Sequence, residues 1–196
     1  MTRSNQKTQN LVMLAVFVAL VLVLQTVSAL AAKFGIFSIT LTLVPIVVGG
    51  ILLGPKNGAI LGFVFGVMVS IFSITGLDAG GLMVFQANPW LGWLVCLLKG
   101  TMAGFLPALL YRALPKKAPL VSAFVASILA PIANTGIFLA GMYLFFRDVL
   151  SAWTGGNLAF FNVIVAICGI NFIIEFAVSV VLSPAIASIV KAAKKA

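Results

Sequence analysis

The chain has 196 residues, 63% of them apolar and only 8% charged, with a formal charge of +9 and no histidine. A soluble domain carries about 25% charged residues, so a fully water-facing surface is excluded and lipid is the expected solvent. The lack of histidine also removes histidine metal sites and histidine acid–base catalysis.

At about 20 apolar residues per span, this length accommodates about six membrane helices. The apolar runs are continuous, which argues against the alternating strands of a membrane β-barrel. The fold expected is therefore an all-α integral membrane protein: a bundle of six transmembrane helices forming one domain over residues 1–196.

The first segment runs from Gln9 to Ala32, after a polar start that contains Arg3 and Lys7. Its apolar stretch, Leu11 to Leu24, continues through Gln25-Thr26-Val27-Ser28. It is read as a retained helix rather than a signal peptide, whose apolar core is short and ends at a small-residue cleavage site. The second, Ile39 to Leu53, is short for a full span. Gly54-Pro55-Lys56-Asn57-Gly58 is expected as a turn, since Gly and Pro punctuate helices. The third segment, Ala59 to Thr75, begins next to Gly58 and contains Gly62 and Gly66. This stripe with a period of four allows close helix packing in lipid.

Gly76 to Gly81 is expected as a flexible loop leading to Asn88-Pro89-Trp90. The fourth segment, Trp90 to Tyr111, encloses Lys99, and a basic loop, Arg112 to Lys117, follows it. The fifth runs from Pro119 to Phe146, interrupted by Pro131. A polar stretch, Arg147 to Asn157, precedes the sixth segment, Leu158 to Val190, which holds Asn162, Asn171 and Glu175. Cys96 and Cys168 lie inside apolar segments without CxxC spacing and read as small core residues.

Sorted by side, six spans place Arg3, Lys7, Lys56, Arg112, Lys116, Lys117, Lys191, Lys194 and Lys195 on one face with no acid. The other face receives Lys33, Asp78, Arg147 and Asp148. Such an asymmetry assigns both termini to the cytoplasm, and it explains the positive charge without nucleic acid. Trp90, Trp93 and Trp153 fall near the outer boundary. They suit either an aromatic belt in the headgroup zone or stacking on a flat ligand.

Polar groups deep in a bilayer are costly and usually functional. Lys99 lies ~13 Å from the outer end of its segment, Glu175 ~24 Å from the inner end of the sixth, and Asn134 ~22 Å from the inner end of the fifth, at 1.5 Å per residue. Asn171 and Glu175 are four apart and share a helix face. A polar pocket open to the outside accounts for all four. Asn88 and Trp90, at the mouth, join them as candidate ligand contacts. The competing roles are a Lys99–Glu175 ion pair that fixes packing and an interhelical hydrogen bond from Asn134.

Chemical machinery is sparse. No G-x-x-x-x-G-K-[ST] loop is present, so ATP hydrolysis by that device is excluded. Three acids in all form no catalytic carboxylate pair, and an enzyme is not expected. Nor does the chain contain the inverted repeats of a self-sufficient carrier. A solute binder without an engine points to one subunit of a larger assembly.

Three local patterns sharpen this. Ala15-Val16-Phe17-Val18-Ala19 forms an AxxxA pattern whose small residues face one side of the first helix. Val44-Pro45 is followed by Gly54-Pro55-Lys56-Asn57-Gly58-Ala59 and Gly62-Phe63. Asn171-Phe172-Ile173-Ile174-Glu175 is followed by Ser183-Pro184 and a lysine-rich end. In this order the chain resembles the substrate-binding S components of energy-coupling factor (ECF) vitamin transporters.

The resemblance implies a bacterial plasma-membrane protein that binds a vitamin tightly from outside, under loops after helix one and between helices three-four and five-six. It implies docking through Ala15 and Ala19 on a transmembrane T component joined to two ATPase subunits. ATP hydrolysis there would topple the S component and release the vitamin inside. No cofactor or metal is expected. The resemblance is closest to members assigned to pantothenate, with riboflavin or a thiamine precursor as alternatives. A secondary carrier or small channel working alone is the rival from another class.

Overall fold

The computed structural model describes residues 3–33, 41–115 and 119–193, with side chains described at 6–31, 41–115, 120–159, 162 and 172–189. These residues form eight helices: α1 (Arg3–Lys33), α2 (Leu43–Leu53), α3 (Pro55–Ile74), α4 (Ala79–Ala87), α5 (Pro89–Ala113), α6 (Pro119–Phe145), α7 (Arg147–Trp153) and α8 (Phe160–Ala193). Among the described residues there is no strand.

Five helices, α1, α3, α5, α6 and α8, are long and apolar enough to cross a membrane. The expected second span is represented by α2, with 11 residues. At 1.5 Å per residue it covers ~16 Å, about half of a hydrocarbon core. Residues 34–40, which precede it, lie outside the described residues, as do Lys116, Lys117, Lys194 and Lys195.

Three expected irregular stretches contain helix. The five-residue turn at 54–58 is reduced to Gly54, whose φ of 103° suits glycine. Pro55 then opens α3 at its first position, where a missing N–H costs nothing. The loop expected at 76–81 contains the start of α4, because Asp78 accepts a hydrogen bond from the Gly81 N–H and caps the helix. The polar stretch after Arg147 folds into α7. Its Val149 and Leu150 are buried with Val84 of α4, Val95 of α5 and Met142 and Phe146 at the end of α6. Thus α4 and α7 roof one end of the bundle.

The short helix is its centre. Eight residues of α2 are buried, and it touches all five long helices. A helix apolar on every side requires this kind of enclosure. Val47, Val48 and Ile51 pack with Ala123, Ala126 and Ala130 of α6 and with Ile186 and Ala187 of α8. Leu43 and Ile46 pack with Val21 of α1, Leu61 and Phe65 of α3, and Ala103 of α5. In lipid these contacts gain little from leaving water; close fit holds them.

Close fit is strongest between α3 and α5, which run antiparallel. A Cβ added at Gly62 would overlap the Gly100 carbonyl, and one at Gly58 would overlap that of Gly104. One at Gly66 would come within 2.6 Å of the Cys96 carbonyl. The expected glycine stripe therefore packs against a second stripe on α5. At the same end of the bundle the Arg112 guanidinium lies against Gly54.

Prolines sit inside α5, α6 and α8 at Pro107, Pro131 and Pro184. Pro131 lies within a continuous α6 rather than dividing it. Pro184 has no N–H for the Val180 carbonyl, and the Ser183 hydroxyl donates to that carbonyl at 2.8 Å instead. An unsatisfied carbonyl in lipid costs several kcal/mol, so this local repair lets α8 carry a proline.

Candidate functional site

Asn134 and Phe138 are four apart on α6 and therefore share a face. Asn134 is 8% exposed, and its Oδ1 has no hydrogen-bond partner among the described residues. A buried carbonyl left unpaired costs about 1–3 kcal/mol, so Asn134 has an unmet demand for a donor.

Lys99 enters from α5. Its Nζ stands 4.4 Å from the centroid of the Phe138 ring. A cation–π contact supplies about 2 kcal/mol when desolvated. A lysine near the centre of a membrane helix costs about 2.5–3.5 kcal/mol by insertion scales. The ring thus offsets part of the cost, and an ammonium with three donors still favours an anion. The described contact of the Lys99 ammonium is the Phe138 ring.

Above Phe138 lies the roof. Trp153 of α7 faces it with ring centroids 6.5 Å apart. The Trp153 Nε1 donates to the Met83 sulfur of α4 at 3.2 Å, and the indole lies against Gly80. One aromatic run therefore leads from the Lys99 ammonium to both roof helices.

The depth of the site follows from α2. Asn134 lies one turn beyond Ala130, the last α6 residue packed around the short helix. From Ala123 to Asn134 the rise is ~16 Å, and from Ala187 back to Glu175 it is ~18 Å. By helix rise, Asn134 and Glu175 thus lie at similar distances from the α6 and α8 residues that pack around α2. Glu175, Ser179 and Ser183 repeat every four residues along α8 and are all buried. Asn171 continues that spacing outward, but its side chain lies outside the described residues.

The other expected contacts are distributed differently. The Asn88 Oδ1 accepts from the Leu91 N–H at 3.1 Å and caps α5. Trp90 is 84% exposed, as an aromatic anchored at the headgroup level would be. Trp93 packs edge-on against Phe85 at 6.1 Å. Ala15 and Ala19 are both exposed on α1, beside exposed Val16 and Leu20. The opposite side of α1 enters the core through Val21 and Phe17.

Several residues escaped the sequence reading. Phe138 and Met83 are unremarkable apolar letters in apolar runs. Thr42, fully buried at the start of α2, donates to the Gln25 Oε1 at 3.0 Å. Gln25 was visible as a polar residue within the first apolar segment, and that was the available signal for this pair.

Comparison with known proteins agrees with this architecture. The family described as "ECF transporter, substrate-specific component" matches residues 9–187. The pantothenic acid transporter PanT of Lactococcus lactis subsp. cremoris (strain MG1363) is 26% identical over 192 residues, covering 92% of each chain. No solved structure matches the chain. Family membership describes a transporter component rather than an enzyme, and it agrees with the long apolar helices of a multi-pass membrane protein. The chain belongs to the family of substrate-specific components of ECF transporters.

Proposed function

We propose that this protein is the pantothenate-capturing S component of an ECF-type ABC importer in the bacterial plasma membrane. The observation that carries this reading is the Lys99 ammonium on the ring of Phe138, one helical turn from an Asn134 carbonyl that has no hydrogen-bond partner among the described residues. Pantothenate has a carboxylate for the first, and hydroxyl and amide donors for the second. The similarity to PanT supports the same ligand. Glu175, on the facing α8, adds to the polar wall in this reading, Asn171 is a further ligand contact by its spacing of four from Glu175, and Asn88 and Trp90 border the mouth.

The basic ends of α1, α3, α5 and α8 face the cytoplasm in this reading, with six segments counted when α2 and the stretch before it act as one. The exposed Ala15–Ala19 face of α1 receives the T component, which two ATPase subunits drive. The Phe138–Trp153 ring pair favours a second ligand class, a flat ring such as riboflavin or a thiamine precursor.

Mass spectrometry of small molecules co-purifying with the protein, followed by calorimetry, tests the ligand. Pantothenate recovered and bound at nanomolar to micromolar affinity is expected. Recovery of a flavin or pyrimidine instead replaces the ligand assignment. Reconstitution in liposomes tests the assembly: tight binding without uptake is expected, and uptake by the chain alone would make it a self-sufficient carrier.

A further inference from the structure

We propose that Phe138 is the positioning residue of the anion site, and that its ring relays ligand occupancy to the roof formed by α4 and α7. This rests on the reading of Lys99 as the carboxylate partner.

The contacts form a chain with no missing link. The Lys99 Nζ sits 4.4 Å from the Phe138 centroid. Phe138 lies 6.5 Å from Trp153, at an interplanar angle of 33°. Trp153 joins α7 to α4 through its bond to Met83 at 3.2 Å. The ring face is the described contact of the ammonium. It holds the long side chain in one direction, toward α6, where Asn134 lies one turn from Phe138.

A carboxylate is a stronger partner for an ammonium than a ring face, because a charge-assisted hydrogen bond is directional and joins opposite full charges. An arriving anion therefore draws Nζ off the ring. Phe138 loses the cation that fixed its orientation, and Trp153, packed on it, must adjust. The indole N–H bond to a sulfur is weak, so this joint between the roof helices is the one most easily reset. A neutral ligand of the same shape leaves Lys99 on the ring and the roof unmoved. The anion is thus recognised twice, by its charge at Lys99 and by the roof movement that follows.

The test uses the full chain in lipid nanodiscs with 5-fluorotryptophan at its three tryptophans. The Trp153 resonance is the one lost in Trp153→Phe. The probes are sodium pantothenate and its neutral alcohol analogue, pantothenol. Saturating pantothenate is expected to shift the Trp153 resonance, and pantothenol to leave it in place. Phe138→Leu and Phe138→Met are expected to bind pantothenate at least as tightly as the native protein, because the contact they remove is one that binding breaks, and to show no Trp153 shift at saturation. Phe138→Tyr, which keeps the ring, retains the native affinity and the Trp153 shift. An equal Trp153 shift in the ring-less variants, or with pantothenol in the native protein, overturns the relay while leaving the anion site standing. Calorimetry showing no pantothenate binding to the native protein overturns the anion site and the relay with it.

Discussion

Gly62 of α3 and Gly100 of α5 meet backbone to backbone, each filling the space that a side chain on the other would need. Lys99 immediately precedes Gly100. A helix turns about 100° per residue, so pressing Gly100 against α3 directs Lys99 away from α3, toward α6 and Phe138. The glycine contact is a packing device and also sets the direction of the cation.

Gly62→Val is therefore expected to force α3 and α5 apart. Overpacking costs about 1–3 kcal/mol, which for a chain of this size lowers the melting temperature by ~2–12 °C. Thermal unfolding in detergent reads this directly. Gly136→Ala is the control, since a Cβ there meets nothing within 4 Å. Equal melting temperatures for Gly62→Val and the native chain would show that the helices do not meet at Gly62.

Asn134→Leu separates binding from stability. Its Oδ1 is buried without a partner among the described residues, and removing an unsatisfied group relieves about 1–3 kcal/mol. The unliganded variant should melt at an equal or higher temperature than the native protein, yet bind pantothenate at least fivefold more weakly. A lower melting temperature would identify Asn134 as a structural hydrogen-bonding residue.

Lys99→Ala is expected to weaken pantothenate binding tenfold or more, about 1.4 kcal/mol, and to affect the neutral alcohol analogue much less. Calorimetry on both ligands makes the comparison. Equal losses for the two ligands would assign Lys99 to shape rather than charge.

The double substitution Ala15→Trp with Ala19→Trp places two large rings on an exposed face of α1. Ligand binding by the isolated chain should be unchanged. Uptake by the complete ECF assembly in liposomes should be abolished. Full uptake would move the docking surface elsewhere.

Ser183→Ala removes the hydroxyl that satisfies the Val180 carbonyl beside Pro184. A loss of about 1 kcal/mol is expected, a fall of ~2–4 °C in melting temperature, without change in ligand affinity. Reduced affinity at unchanged stability would instead place Ser183 at the ligand.

Read alone, the amino-acid order determined that lipid is the solvent, that the elements are helices, and that their basic ends alternate along the chain. It also isolated Lys99, Asn134 and Glu175. All of these are local properties: hydropathy over about 20 residues, and a polar letter that stands out inside an apolar run. The family resemblance was legible for the same reason, in short motifs of fixed spacing.

Tertiary structure decided what those letters touch. It put the short α2 at the centre, reduced a five-residue turn to Gly54, and folded α4 and α7 into a roof. It set Phe138 over Lys99 and joined Trp153 to Met83, 70 positions away, while leaving Ala15 and Ala19 uncovered. The physical reason is that packing in lipid depends on shape complementarity between distant segments. An apolar side chain has the same hydropathy whether it faces lipid, a neighbouring helix or a ligand, so that choice leaves no periodic trace in the sequence.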